Sequence, residues 1–436
     1  MKKVAAIFKN KEIVDRLAFT IMVLFIFRIG AAITVPGVTL NDFSFASNDA
    51  FGLMNLLGGG TLQSFSVFAL GVSPYITSSI IVQLLSMDVL PALTELSNQG
   101  QFGRKKMEMA TRYLTLLLGA VQAYGVIKTM ENSSYITIAD TTFWGYAYIV
   151  TIMLAGAMLV MWLGDQISTK GLGNGVSVII FAGIVISLPL QITTAYTQWL
   201  ANRLGHGTAE ILKGALQFGV YILAFLLIIS FITFVEMSKR KIPVQHAGKS
   251  GGGQKYSQAS FLPIKINSAG VIPVIFASSI MMAPSVIASF ISSDAANAEW
   301  LKIFNSSDTV TMPWFNEQTW QMPWGLIIYL TLIVLFTFFY SKLQINPEKM
   351  AENFQKNGSY IPGVRPGNET ERYVGKVLNR VTAIGALSLA IIAALPIVLV
   401  LLKIVPDQSL ALGGTGLIIV VGVAIEMNNQ IDGLLA

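Results

Sequence analysis

Residues 215–235 read Ala215-Leu-Gln-Phe-Gly-Val-Tyr-Ile-Leu-Ala-Phe-Leu-Leu-Ile-Ile-Ser-Phe-Ile-Thr-Phe-Val235, a run without a single charge. The hydrocarbon core of a bilayer is about 30 Å thick, and about 20 helical residues cross it. This stretch therefore predicts a membrane-spanning helix. The basic cluster Lys239-Arg-Lys241 follows closely, as is typical of the cytoplasmic end of a span.

The composition of the whole chain also indicates a membrane protein. Of its 436 residues only 12% are Asp, Glu, Lys or Arg, whereas a soluble domain carries about 25%. Hydrophobic residues make up 53%, which is more than one compact soluble core can bury. The chain has no Cys and two His, so we expect no disulfide, no metal site and no cofactor. An ordinary soluble enzyme is excluded.

Apolar segments of similar length recur along the sequence, and we predict ten spans. Their approximate limits are 17–35, 70–85, 110–128, 143–163, 175–192, 215–235, 267–290, 323–340, 381–402 and 410–425. Most Lys and Arg residues lie at the N-terminus and in the even-numbered connections between spans. Because positively charged loops stay in the cytoplasm, we predict that these connections and both termini are cytoplasmic.

The ten spans divide into two halves, residues 1–200 and 201–436. Each half holds an odd number of spans, so the second half must enter the membrane from the opposite side. We therefore predict an all-α polytopic membrane protein with two inverted five-helix halves. The N-terminus also has the basic start of a secretory signal peptide, but its long apolar run favours an uncleaved first span.

The span centres are nearly free of acidic residues, which argues against ion-coupled transport and against intramembrane catalysis. The predicted spans contain neither an H-E-x-x-H nor a G-x-S-x-G motif. Arg28 lies near the external end of span one, where a snorkelling, structural role is favoured. Gly171-Leu-Gly-Asn-Gly175 lacks the lysine of a phosphate loop and predicts a tight turn. A small-solute transporter remains the second hypothesis, and a membrane-embedded enzyme is the third.

The stretch Gly58-Gly-Gly-Thr-Leu-Gln-Ser-Phe-Ser-Val-Phe-Ala-Leu-Gly71 precedes span two and is unusual. It is too polar for a helix that faces lipid and too apolar for a solvated loop. At membrane depth such a segment is tolerated only inside protein or beside a water-filled cavity. It therefore predicts a short re-entrant helix that lines or blocks a cavity, and an external interfacial helix is the alternative.

Several isoleucines and two polar residues in the spans allow two interpretations each. Isoleucines of spans two, five, seven and ten are packing or lipid-facing residues by periodicity alone, but a ring of them around a pore would exclude water and ions. Asn267 and Gln122 either join helices by hydrogen bonds or serve a function. The cytoplasmic connections 236–265 and 341–380 are long, and the turn at 362–367 projects Arg365, which suits phosphate or carboxylate partners such as an RNA backbone.

Long motifs occur in a fixed order along the chain. They are Gly71-Val-Ser-Pro-Tyr-Ile-Thr-Ser-Ser-Ile-Ile-Val-Gln-Leu-Leu85, Gly103-Arg-Lys-Lys106, Met161-Trp-Leu-Gly-Asp-Gln166, Ala269-Gly-Val-Ile-Pro-Val-Ile-Phe-Ala-Ser-Ser279, Ile361-Pro-Gly-Val-Arg-Pro-Gly367 and Gly413-Gly-Thr415. Together they resemble the SecY family, the channel subunits of the bacterial Sec protein translocase. The resemblance covers essentially the full chain.

The resemblance implies a passive, non-enzymatic channel in the bacterial plasma membrane for unfolded secretory polypeptides, with a lateral gate toward lipid between spans two and three and spans seven and eight. The implied pore ring is Ile76, Ile80, Ile180, Ile184, Ile275 and Ile419. The implied plug, at about 58–70, includes Gly60, Thr61, Leu62, Ser64, Phe65, Val67 and Phe68. The resemblance assigns Asn267 and Gln122 to a polar cluster of the lateral gate. It assigns Arg240, Lys249 and Arg365 to the docking of partners. The implied partners are SecE, SecG, the SecA motor ATPase, the ribosome, signal sequences, preproteins and membrane lipids.

Overall fold

The computed structural model describes residues 2–41, 55, 58–86, 90–132, 135–203, 208–246, 260–291, 299–304, 324–401 and 414–435. The α-helices are α1 Lys2–Lys9, α2 Lys11–Ala32, α3 Ser73–Leu85, α4 Pro91–Asn98, α5 Gly100–Asn132, α6 Phe143–Lys170, α7 Gly175–Trp199, α8 Thr208–Met237, α9 Ile272–Ile291, α10 Trp324–Gln344, α11 Pro347–Lys356, α12 Asn368–Leu401 and α13 Gly414–Leu435. Short 3₁₀ turns lie at Ala201–Arg203 and Glu299–Phe304.

Each of the ten predicted spans overlaps one of these helices. In the described part of the chain, six helices (α6, α7, α8, α10, α12 and α13) are long and apolar enough to cross a membrane. Shorter apolar helices lie at Ser73–Leu85 and Ile272–Met281. The chain is therefore a multi-pass membrane protein by length and composition, and the count of ten spans stays a prediction.

Side-chain caps fix where several helices begin. Asn10, Thr142, Asn174 and Asn346 each accept a hydrogen bond from a backbone N–H in the first turn of the following helix. Asn174 lies in the glycine-rich run 171–175, which forms a tight connection between α6 and α7 as predicted.

Polar contacts tie this connection to distant helices. The backbone N–H of Leu172 donates to Thr20 Oγ1 of α2 at 3.1 Å. The N–H of Gly173 donates to Gln430 Oε1 of α13 at 2.8 Å. The turn therefore joins helices from both ends of the chain.

Two small sheets add to the helices and were not predicted from the sequence. β1 Val38–Leu40 pairs antiparallel with β2 Ile136–Ile138. β3 Lys239–His246 pairs antiparallel with β4 Ser260–Lys265 on one side and with β5 Ser359–Tyr360 on the other. The second sheet thereby joins the two long connections 236–265 and 341–380.

The apolar core has two main parts within the membrane region. One part joins α2, α6, α7 and α13 around Phe27, Ile180 and Ile419. The other joins the end of α7 with α8, α9, α10, α12 and α13, and it includes Trp199, whose ring lies 5.0 Å from that of Tyr221. The boundary that we predicted at residues 200 and 201 falls at the 3₁₀ turn Ala201–Arg203.

Candidate functional site

Five of the six isoleucines predicted for a ring meet in one apolar cluster, which we call the isoleucine cluster. Ile180 and Ile184 lie one turn apart on α7 and are buried with Ile419 of α13. Ile76 of α3 and Ile275 of α9 are partly buried and pack against the same cluster. Four helices that are distant in sequence therefore converge on one cluster that contains these branched aliphatic side chains.

The sixth isoleucine, Ile80, belongs mainly to a neighbouring apolar cluster. It is buried with Phe276 of α9 and Phe336 of α10, and Ile76 packs against this cluster too. The Phe276 ring meets the rings of Phe336 and Tyr340 edge to face at 5.8 and 5.7 Å. This second cluster, which we call the α3–α9–α10 cluster, closes the side of the molecule where the lateral gate was predicted.

Residues 59–72, which overlap the predicted re-entrant helix, form a run of turns and not a regular helix. Gly59, Gly60 and Gly71 have φ values of 75°, 84° and 53°, and Phe65 has 41°. Side chains other than glycine rarely adopt this left-handed region, and it interrupts a right-handed helix. The segment is nevertheless buried, with Leu62 and Phe65 at most 1% exposed, which contradicts the alternative of an external interfacial helix.

The end of α2 and the residues after it hold this segment, which we call the plug segment. The backbone N–H of Val67 donates to the Ile33 carbonyl at 2.9 Å, and that of Val35 donates to the Phe65 carbonyl at 3.0 Å. The Phe27 ring stacks on Phe68 with ring centroids 5.7 Å apart. These contacts pair an extended stretch directly with the plug segment.

Arg28, for which we predicted snorkelling, also contacts the plug segment. Its Nη1 donates to the carbonyl oxygen of Gly59 at 3.3 Å. Hydrogen bonds to charged groups contribute at most about 1.5–3 kcal/mol to stability. Because the Arg28 side chain is exposed, its bond to Gly59 contributes less than this. Sequence reasoning missed this role because nothing local to Arg28 indicates a partner 31 residues away.

The plug segment lies directly beside the isoleucine cluster. A Cβ added at Gly59 would lie 2.7 Å from the Cα of Gly183, the neighbour of Ile184. A Cβ at Gly156 of α6 would lie 1.9 Å from the Val67 carbonyl oxygen. Backbone therefore packs on backbone, which only glycine permits.

Large side chains of the plug segment fill the space between α5 and α6. Leu62, Phe65 and Leu70 are buried with residues of both helices, and Phe68 belongs to the isoleucine cluster. Burial of each such side chain is worth about 1.5–3 kcal/mol relative to exposure to water. The plug segment is thus held mainly by apolar contacts.

The two polar residues predicted for the gate do not share a hydrogen bond within the described part of the chain. Asn267 is 2% exposed, and its Nδ2 donates to a carboxylate oxygen of Glu236 and to the Gly270 carbonyl. Gln122 lies on α5, and its buried Oε1 has no hydrogen-bond partner among the described residues. Their role in a gate stays a prediction.

Two of the three basic residues predicted for docking, Arg240 and Arg365, lie on one body formed by the long connections. Arg240 is exposed on β3, and Arg365 is exposed on a turn flanked by Gly363 and Gly367 at φ values of 82° and 99°. The Arg365 carbonyl accepts a bond from Thr370 Oγ1 at 2.9 Å, which fixes the turn to α12. Lys249 lies outside the described residues.

An apolar base supports this body. Ile242, Ile264, Ile361 and Val374 are buried together beneath the sheet. We call β3, β4, β5 and the turn 361–367 the cytoplasmic platform, after the side of the membrane that the charge distribution predicts for them. The alternation of Ile242 and Val244 with Lys241, Pro243 and Gln245 is the period-two signal that would have predicted β3.

The described residues contain no group of three His, Asp or Glu side chains placed to hold a metal ion.

The sequence matches a model of the SecY family over residues 66–428. This chain belongs to the SecY family. Among its relatives, the protein translocase subunit SecY of Lactococcus lactis subsp. lactis is 45% identical over 431 residues, covering 98% of this chain and 94% of the relative. That of Mycoplasma capricolum subsp. capricolum is 44% identical over 437 residues, covering 98% and 88%.

Solved structures of SecY-like channels share the fold of this SecY-family chain. A structure described as that of a protein conducting channel has a TM-score of 0.69 and 16% identity, and the match covers 96% of this chain and 92% of that one. Sec61 in a canine ribosome-channel complex from the endoplasmic reticulum gives a TM-score of 0.66 at 16% identity, with the same coverage. These matches confirm the predicted helical fold class.

Proposed function

We propose that this chain is the channel subunit of a protein translocase, through which unfolded secretory polypeptides cross the bacterial plasma membrane. The observation that carries the proposal is the convergence of Ile76, Ile180, Ile184, Ile275 and Ile419 on one constriction with the plug segment beside it. Branched aliphatic side chains offer no hydrogen bonds to ions or water, and they yield to a passing chain of any sequence. Membership of the SecY family supports the same function.

In this proposal the plug segment seals the constriction at rest. Arg28 and the paired stretches 33–35 and 65–67 hold it in place. An arriving polypeptide displaces it, and the isoleucines then close around the moving chain. In a solved structure of similar fold, the plug domain of SecY is described as stabilising the closed state of the channel and maintaining a membrane seal, which supports this assignment.

The α3–α9–α10 cluster serves as the lateral gate. An apolar signal helix that leaves through it gains about 25 cal/mol for each Å² of apolar surface removed from water. Each aromatic edge-to-face contact in the cluster is worth about 0.5–1.5 kcal/mol beyond burial. A signal helix therefore has enough free energy to replace these contacts, which biases the gate toward opening.

The cytoplasmic platform docks the partners that drive transport. We place SecA and the ribosome on Arg240, Arg365 and the residues near Lys249, and we place SecE and SecG against the membrane helices. Sec61, which has a similar fold, has been solved in a canine ribosome-channel complex, and this supports the ribosome as a partner. Both termini and the platform are cytoplasmic in this arrangement, and residues 1–200 and 201–436 form the inverted halves.

The second hypothesis, a small-solute transporter, has no support from the relatives, whose names describe protein translocase subunits. We therefore retain only the channel. The free energy that drives polypeptide transport comes from a partner in this proposal. The scarcity of acidic residues in the span centres agrees with this, because ion-coupled transport usually needs such residues.

Reconstitution tests the proposed function. We expect this chain, incorporated into liposomes with SecE and SecG, to protect a secretory precursor from external protease when SecA and ATP are added. Reversal of the exposed charge, Arg365→Glu, should lower this protection severalfold because charged docking contacts become repulsive.

Lys349→Glu is the matched control, since Lys349 is exposed on α11 of the same connection and was not assigned to docking. It should leave protection close to that of the unmodified chain. Absence of protection with the unmodified chain would contradict the function. Equal protection by Arg365→Glu and Lys349→Glu would contradict only the docking role of Arg365.

A further inference from the structure

A buried polar pair lies where the cytoplasmic platform meets the membrane helices. Asn267 Nδ2 donates to the carboxylate of Glu236, which lies in the last turn of α8. Glu236 is 8% exposed and Asn267 is 2% exposed. Burial of a carboxylate is costly unless it is hydrogen-bonded, so this contact must have a structural or functional reason.

The pair sits at the base of the β3–β4 hairpin. Strand β3 begins at Lys239, shortly after Glu236, and β4 ends at Lys265, shortly before Asn267. Lys239 and Lys265 face each other across the two strands. The backbone N–H of Ile266 donates to the Ser238 carbonyl at 3.0 Å, which closes the base. A displacement of the hairpin by a docked partner therefore reaches Asn267 directly.

On its other side the pair is close in sequence to the gate helix. α9 begins at Ile272, only a short turn beyond Asn267, and Asn267 Nδ2 also bonds the Gly270 carbonyl within that turn at 3.0 Å. Phe276 of α9 belongs to the α3–α9–α10 cluster. Asn267 is thus bonded both to the end of α8 and to the turn that leads into the gate.

The pair is only partly satisfied. Asn267 Oδ1 is buried and has no hydrogen-bond partner among the described residues. A fully bonded network would favour one rigid arrangement, whereas a partly satisfied one is easier to rearrange. Helix α12 borders the site closely, since a Cβ at Gly385 would lie 2.4 Å from the Ile266 carbonyl oxygen.

We propose that Glu236 and Asn267 are a positioning pair that couples the β3–β4 hairpin to the gate helix α9. Docking on the platform moves the hairpin, the hydrogen bond passes this movement to the turn 267–271, and α9 shifts in the α3–α9–α10 cluster. The inference rests on the proposed channel function, because it assigns a gate to α9. It differs from the gate cluster of Asn267 with Gln122 that the sequence suggested.

The test compares opening with and without the motor. Channels with SecE and SecG are placed in liposomes, and ion conductance and motor affinity are measured with and without SecA and a non-hydrolysable ATP analogue. For Asn267→Ala we expect unchanged motor affinity and unchanged resting conductance. The increase in conductance on motor binding should fall about tenfold or more, as expected when a buried hydrogen bond to a charged group is lost.

Two further variants separate coupling from simple stabilisation. Glu236→Gln keeps a side-chain oxygen that accepts from Asn267 Nδ2 and leaves the bond from Asn267 to the Gly270 carbonyl in place, so it should keep most of the motor-dependent increase. Ser268→Ala removes a neighbouring hydroxyl that donates to the Lys265 carbonyl, and it should keep the full increase.

Three outcomes overturn the proposal. The first is a full motor-dependent increase in Asn267→Ala. The second is a parallel loss of resting seal, motor affinity and thermal stability in Asn267→Ala, because a purely structural pair behaves in this way. The third is an unmodified channel that shows no motor-dependent conductance and protects no precursor, which overturns the proposed function together with the coupling.

Discussion

Replacement of Gly183 by alanine is expected to open the resting channel to ions. The new Cβ would lie 2.6 Å from the Cα of Gly59 and 2.9 Å from its nitrogen, so the plug segment must move away from α7. Overpacking of this kind costs about 1–3 kcal/mol. Because 1.4 kcal/mol is a factor of ten, the resting ion leak in liposomes should rise about tenfold or more.

Gly219→Ala is the matched control for this variant. Gly219 also lies inside a helix, α8, and a Cβ there meets no atom within 4 Å. Both substitutions raise helix propensity equally, by about 1 kcal/mol, so a difference in leak reports the contact with Gly59. A leak in Gly183→Ala no greater than in Gly219→Ala would show that the plug segment does not seal the channel.

The second large effect is expected from the isoleucine cluster. Ile76→Asn and Ile275→Asn put an amide into a constriction otherwise formed by apolar side chains. A buried amide without partners costs about 1–3 kcal/mol, and water entering to bond it lowers that cost. We expect a higher resting leak and greater export of precursors with weak signal sequences, by about tenfold, in the same liposome assay.

Ile76→Leu and Ile275→Leu are the controls, because they keep an apolar side chain of equal volume at a cost below about 1.5 kcal/mol. They should leave leak and export nearly unchanged. If the Asn variants leak no more than the Leu variants, the isoleucines do not line the pore.

The sequence predicted the membrane helices because they depend on local patterns, whereas the ring was an implication of the family resemblance. Charge-free runs such as residues 215–235 fall on helices, and Ile180 and Ile184 fall one turn apart on α7. The convergence of Ile76, Ile275 and Ile419 on them depends on how helices pack, which periodicity does not determine. The family resemblance supplied that part, and Ile80 still lies mainly in a different cluster.

The conformation of the plug segment could not be derived from its sequence. Its apolar content predicted burial correctly, but the positive φ values of Gly59, Phe65 and Gly71 prevent a regular helix. The partners that hold it, Ile33 and Val35, follow α2 and are far away in sequence. Such pairing between distant stretches carries little local signal.

In the cytoplasmic platform, by contrast, a local sequence signal for strand β3 was present, but we did not predict the strand from it. β3 alternates apolar and polar residues, as a half-buried strand does. Its pairing with β5 joins Gln245 to Tyr360, more than a hundred residues away, and no local pattern predicts that contact. The bond between Asn267 and Glu236 likewise follows from the hairpin that brings them together.

Disulfide formation between a stalled precursor and the ring tests the central claim most directly. The chain has no cysteine of its own, so Ile184→Cys and Leu190→Cys each introduce a single thiol on α7. Ile184 is 2% exposed within the ring, whereas Leu190 is 68% exposed. A precursor with one cysteine, halted by a folded C-terminal domain, should crosslink to Ile184→Cys and not to Leu190→Cys. Crosslinking only to Leu190→Cys, or to neither, would contradict passage of the polypeptide through this constriction.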